Sequence, residues 1–312
     1  MKTVRFISTQ TISLELPLQV SQLPESGCEV QAAVMEGTVV AGGFFLAATV
    51  ARQCIAVAVA STLGTGPNSV LARRSLGREG ISVLLPETVG DIGIRIVTID
   101  EKGVRTTITS PGVEAEPSPR DFTELTLRPD DRVLINLNDL VFPQLAQGLY
   151  SLVDSLPDQV HLVVNAGPRV GAVDLDVLVK VLRRADLLTL NRQQSEAIGS
   201  RLGRNPIVDT LRRYLQPNSY LVLRDGAQGA MIQENVDSLP LVVPAFPGEV
   251  KDTTGMADAH TGVLVASLMH GKSLEEAAIR ANAAATLVFS QYGHYKVPKA
   301  QQIDHFLASI DL

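Results

Sequence analysis

The sequence has no surplus of positive charge. Its 312 residues hold 27 Lys and Arg against 33 Asp and Glu, a net charge of −6. That balance argues against a nucleic-acid coat and against a binder of anionic membranes, because both need a basic stripe. Cysteine is nearly absent: Cys28 and Cys54 are too few for a disulfide scaffold and fit a reducing compartment. No uncharged apolar run approaches the roughly 18 residues that a spanning helix needs. Lys2 and Arg5 stand where a secretory signal has basic residues, but Ser8-Thr9-Gln10-Thr11 interrupts any apolar stretch behind them. The expectation is a cytoplasmic protein with a small-molecule partner, no nucleic acid and no membrane.

Common catalytic signatures are missing too. No Gly-Lys-Ser/Thr follows a strand, so a P-loop is excluded. No HExxH, CxxC or Gly-x-Ser-x-Gly occurs. The nearest approach to a dinucleotide fingerprint, Gly64-Thr65-Gly66-Pro67-Asn68-Ser69, has Ser in third place and a Pro inside. His260 and His270 lie ten apart on one helix, about 280° round the wheel, so they cannot share a metal.

What is present is apolar content, 45% of all residues. That is too high for disorder, and a chain this long can bury a core without staples. Short runs rich in Val, Ile and Leu read as strands covered on both faces: residues 55–60, 133–137, 160–165, 187–191 and 220–224. Amphipathic stretches of helical length lie between them, at 69–79, 144–155, 175–184, 193–202 and 208–215. This alternation predicts an α/β fold with a mostly parallel sheet and helices on both faces. Two stretches break it. Residues about 12–40 hold strand-like segments with no helix between them. Residues about 92–110 read as a hairpin turning at Glu101-Lys102-Gly103. Together they predict a small accessory sheet, and with no linker or repeat the chain reads as one domain, 1–312. Near the end, one helix runs to about His270 and stops at Gly271. A second starts at Ser273 with Glu276 completing a capping box.

The informative segment is Asp252-Thr253-Thr254-Gly255-Met256-Ala257-Asp258. A Thr-Thr-Gly turn opens into a helix of small residues. The first amides of a helix lack intrahelical partners and carry the positive end of its dipole, so they suit a phosphate or developing anion. A carboxylate at Asp258 can take a proton from a hydroxyl beside that phosphate, or it can simply cap the helix. Composition leaves both roles open.

The segment looks like the Asp-Thr-x-Gly-Ala-Gly-Asp signature of the PfkB/ribokinase family of carbohydrate kinases, and the resemblance covers nearly the whole chain. Val39-Val40-Ala41-Gly42-Gly43 resembles the family's Gly-Gly motif. Leu76-Gly77-Arg78-Glu79-Gly80-Ile81, Thr189-Leu190-Asn191-Arg192-Gln193-Gln194 and Leu223-Arg224-Asp225-Gly226-Ala227-Gln228-Gly229-Ala230 fall where further family segments stand. Pro244-Ala245-Phe246-Pro247 and Ala281-Asn282-Ala283-Ala284-Ala285 flank the signature correctly. Gly167-Pro168-Arg169, with Leu190 to Glu196, resembles the YegV-like branch of sugar kinases.

The resemblance implies a ribokinase-like three-layer α/β/α fold with a small β lid from about 12–40 and 92–110. It implies ATP-dependent phosphorylation of a hydroxyl on a sugar or nucleoside, with Mg²⁺ and a monovalent cation such as K⁺. Asp258 would be the base, and the amides of Gly255, Met256, Ala257 and Asp258 the anion hole. Asn191, Gln194, Arg224, Gly226, Gly229 and Asn282 would serve the nucleotide. Glu15, Gly42, Gly43, Ala47 and Arg169 would meet the substrate, and Asp252 and Thr254 the monovalent cation. Exposed lid edges have to be covered, and two lids pairing in a homodimer is one way.

Six positions depart from the family pattern. Met256 and Ala257 replace Ala and Gly; Ala257 is harmless only if its φ is helical. Gln194 replaces a Glu that helps organise Mg²⁺, a loss of charge that a hard cation should feel. Ala47 replaces the sugar-binding Asn, with Phe44 and Phe45 beside it, so a more apolar pocket is expected. Glu15 falls near the sugar-binding Asp, and Asn165 stands for an Asp. The alternative to an active kinase is a degenerate one that binds nucleotide or sugar without turnover.

Overall fold

The computed structural model describes residues 4–35, 37–101, 104–203, 207–293 and 296–310. Along them run β1 (Arg5–Ser8), β2 (Ile12–Val20), β3 (Ala32–Val34), β4 (Val39–Gly42), β5 (Ala56–Val59), β6 (Ser82–Val83), β7 (Ile94–Ile99), β8 (Arg105–Ser110), β9 (Arg132–Asn136), β10 (His161–Asn165), β11 (Leu187–Asn191), β12 (Tyr220–Arg224), β13 (Ala230–Gln233) and β14 (Leu241–Val243). Nine of these form the main sheet, in the order β14-β13-β12-β11-β10-β9-β1-β5-β6. Its strands are parallel from β12 to β6, and β13 and β14 add an antiparallel edge.

Side-chain alternation sorts the core into two layers. From β1, Phe6 packs on one side with the helices Gly43–Ala51, Met256–Met269 and Leu274–Phe289. The next residue, Ile7, packs on the other with the helices Pro143–Ser155, Leu175–Arg184 and Arg192–Leu202. Both are fully buried. The result is the expected three-layer α/β/α arrangement.

The five remaining strands form the small sheet, β3-β2-β7-β8, with β4 on the same edge of β2 as β3, at its start. Its centre is the parallel pair β2–β7, with Glu15 opposite Arg95. The expected hairpin is present as β7–β8; Lys102 and Gly103 of its turn lie outside the described residues.

Gly66 does start a helix, Pro67–Arg78, but the Asp91 carboxylate accepts from the amides of Asn68 (2.9 Å) and Ser69 (2.7 Å). A Cβ on Gly66 would lie 2.4 Å from the Asp91 Cγ. The broken fingerprint is therefore a helix start filled by the chain's own carboxylate. Cys28 and Cys54 are both free and exposed. Arg212, at the end of the helix Ile207–Arg212, is buried and donates to Ser219 O and Gln233 O. Ser273 and Glu276 form the capping box as expected.

Candidate active site

Asn136, Asn165, Asn191 and Arg224 end successive parallel strands, β9 to β12. A crevice outside such carboxyl ends is where open α/β sheets bind ligands. The Asp252–Asp258 turn closes it. Gly255 caps the helix Met256–Met269 with φ +75° and no side-chain cap. That left-handed backbone selects glycine, and a Cβ there would meet nothing within 4 Å. The amides of Gly255, Ala257 and Asp258 have no hydrogen-bond partner among the described residues. Ala257 lies in the helix with ordinary φ, so its methyl leaves the backbone of the turn intact.

Asp258 stands in the first helical turn with its carboxylate partly open to the cleft. Burial by its dense surroundings pushes its pKa up, and Arg224 and Arg95 pull it back only to about 6. A carboxylate so placed ionises near neutral pH, as a general base should. Arg224 donates to Ala257 O (3.1 Å) and Thr261 Oγ1 (3.2 Å). Its Nε is buried with no partner, and burial lowers its pKa to about 10. An orphaned guanidinium nitrogen beside free helix amides fits a phosphoryl group. His260, one turn inside, is held neutral: burial, then Arg224, lowers its pKa to about 3.

The small sheet forms the opposite wall of a cleft of about 220 Å³. Gln10, Glu15, Gly42, Phe45, Arg95 and Arg105 face Thr253–Gly255 and Asp258 across it. Glu15 is buried and bracketed by two guanidiniums, Arg105 at 3.0 Å and Arg95 at 3.8 Å. Arg105 also donates to the Thr254 hydroxyl, tying β8 to the turn. The expected apolar pocket is therefore wrong: Phe45 touches the cleft, but charged groups dominate it. Arg95 and Arg105 were not legible in the sequence. The usable signal was their place in the hairpin, on strands that bring them beside Glu15.

Other expected residues fare differently. Ala47 does not reach the cleft: it is fully buried within the helix Gly43–Ala51. Gly42 lines it with φ +66°, and a Cβ on Gly43 would strike Gln10 O at 2.5 Å. Arg169 lies outside the cleft lining. It bonds to Asn138 and stacks 4.6 Å over Phe142. Asn191 and Gln194 form a capping box, each side-chain oxygen accepting the other's amide at 2.8 Å. Gly226 has φ +54° and open space around it. Gly229 is required by packing, since a Cβ would lie 2.1 Å from Val243 O. Asn282 is buried and donates to Val243 O and Pro244 O. No group of three or more His, Cys, Asp or Glu among the described residues could hold a metal.

The pfkB family carbohydrate kinase model matches residues 23–300. The chain belongs to the pfkB family of carbohydrate kinases. It is 27% identical over 288 residues to the uncharacterized sugar kinase YegV of Escherichia coli, covering 90% of this chain and 87% of that one. It is 23% identical over 310 residues to the ATP-dependent ribose-1-phosphate kinase of Halopiger xanaduensis, covering 98% of each. Among solved structures, the ribokinase of Thermotoga maritima superposes with a TM-score of 0.81 at 19% identity, over 98% of this chain and 99% of that one. As a pfkB kinase, the chain has its cleft on the strand-end face and its small sheet over it. No helix among the described residues is long and apolar enough to cross a membrane.

Proposed function

We propose that this protein transfers the γ-phosphoryl group of ATP to a hydroxyl of an anionic sugar, with Asp258 as general base. The observation that carries the reading is the Asp258 carboxylate, with its pKa near 6, and the unpartnered amides of Gly255 and Asp258 at one cleft. The acceptor oxygen bonds to the γ-phosphorus as the bond to the β,γ-bridging oxygen breaks. The hydroxyl proton passes to Asp258 and ADP leaves. The amides and Arg224 receive the charge on the transferring group, and most of the catalysis is this positioning and charge stabilisation. Gly226, with open space around it, brings backbone close to the nucleotide.

The small sheet acts as the lid and selects the acceptor. On that sheet two guanidiniums, Arg95 and Arg105, flank one carboxylate, Glu15. One positive charge is left for a phosphate or carboxylate on the sugar. The name of the ribose-1-phosphate kinase relative agrees with such an acceptor. Mg²⁺ would neutralise the nucleotide phosphates. Asn191 and Gln194 are amides bonded to each other, so they offer no carboxylate there, and Mg²⁺ would be held by the nucleotide phosphates. The same observation favours a second reading, binding without turnover.

The test measures ADP release with neutral sugars, their monophosphates and their aldonic acids. Anionic acceptors should win, and Arg105→Ala should raise their KM while sparing any neutral acceptor. Equal use of neutral acceptors would remove the anionic assignment alone. Calorimetric binding of ATP without ADP release from any acceptor would establish the second reading.

A further inference from the structure

The residues expected to hold a monovalent cation are already engaged. The Thr254 hydroxyl accepts from Arg105. The Asp252 carboxylate lies 3.2 Å from the ammonium of Lys296, and its other oxygen accepts from the Thr254 amide at 2.9 Å. Lys296 Nζ also donates to two backbone carbonyls, Asp252 O (3.0 Å) and Gln291 O (2.7 Å). Its side chain is only 5% exposed. Two carbonyls and one carboxylate around a single positive charge are the surroundings that suit an alkali cation stripped of water. A lysine ammonium offers three donors and the same charge. Burial alone would raise the Asp252 pKa, but the bonds from Thr254 and the Lys296 charge outweigh it and hold the carboxyl below its usual value.

We infer that the ε-ammonium of Lys296 is a built-in monovalent cation beneath the phosphate-binding turn, in place of bound potassium. The connection to the site is short. Lys296 fixes Asp252, Asp252 fixes the Thr254 amide, and Gly255 follows as the first residue of the anion seat. Lys296 is thus a positioning residue that touches neither substrate nor nucleotide. Residues expected to bind K⁺ do not fit it here, because a side chain of the same chain has taken its place.

The experiment melts and assays the full chain in KCl, NaCl and choline chloride at one ionic strength. The wild type should have the same Tm and the same turnover in all three. Lys296→Met should lose more than about tenfold in turnover in choline chloride, as when an anion-hole element is misplaced. KCl or NH4Cl should restore part of that loss and should raise the variant's Tm, since a ligand that binds only the folded state stabilises it. A lysine that merely tied down the loop would give no cation-specific rescue. A K⁺-specific rise in wild-type Tm or turnover overturns the inference, and so does a Lys296→Met protein indifferent to the salt. Should that variant fold in no salt, Lys296→Gln decides in the same way. The melting arm needs no acceptor, so the inference is tested even if phosphoryl transfer is not found.

Discussion

Three α-helices among the described residues begin on a glycine without a side-chain cap, and two of these beginnings, at Gly66 and Gly255, have opposite chemistry. At Gly66 the first amides are given to Asp91, whose carboxylate fills the space a ligand would need. At Gly255 the nearest carboxylate, Asp258, belongs to the helix itself, and three amides stay free. Sequence makes the two starts look alike: each has a Thr and a Gly ahead of a helix. The difference is whether a distant loop supplies the anion. A helix start is a ligand seat only where the fold leaves it unfilled.

The sharpest break in that comparison is Asp258→Asn. It should lower kcat by about 10²–10⁴-fold, the usual contribution of a general base, measured as ADP release. The folded pKa of Asp258 is raised to about 6. Folding therefore favours its protonated form, and this contribution is lost as pH rises through about 6. Above that pH the Asn variant should melt no lower than the wild type, and wild-type kcat/KM should climb through the same range. Full activity in the variant would end the assignment.

Gly255→Ala comes next. Holding a Cβ in the left-handed region costs about 1–2 kcal/mol, so Tm should fall and turnover with it as the amides move. Asp91→Ala should remove a cap worth about 1 kcal/mol, seen as a lower denaturation midpoint, and leave turnover unchanged. Burial alone would raise the Asp91 pKa, but its bonds from Ser69, Asn68 and Ile92 hold it below the ordinary value. Its stabilisation is thus present at neutral pH and lost as pH falls through that lowered value. A turnover defect in Asp91→Ala would blur the two helix starts. The smallest effect is Gln194→Glu: an acidic residue in a first helical turn should add about 0.3–1 kcal/mol, and tighter Mg²⁺ dependence in the assay would show that the charge also reaches the metal.

The middle of the fold was legible because its strands and helices keep clean periods. Leu187–Asn191, Tyr220–Arg224 and Leu175–Arg184 have the expected bounds. The helix Gly43–Ala51 was not, since it is apolar all round and offers no stripe to detect. Nor was the short strand Arg5–Ser8, whose four residues find their partners 50 to 130 positions away. The site divides in the same manner. The Asp252–Asp258 turn is one continuous segment, so its chemistry could be read in place. Arg95, Arg105 and Lys296 reach it only through tertiary structure, from strands and a loop whose side chains carry no local sign of their target. Ala47 shows the converse: a position matched by spacing whose side chain faces the core.

The parallel pairing of β2 with β7 also dictates when the cleft can be assembled. Its two strands lie about eighty residues apart, and each leaves from a different part of the main sheet. Closing such a loop is slow and gains nothing until β1 and β5 are side by side. The substrate wall should therefore form late, after the nucleus of the main sheet. Substitutions in the small sheet should speed unfolding while leaving the folding rate nearly untouched, and its amides should exchange with solvent by local opening well before those of β9 to β12. The face proposed to choose the acceptor is the face most easily remodelled without endangering the rest of the chain.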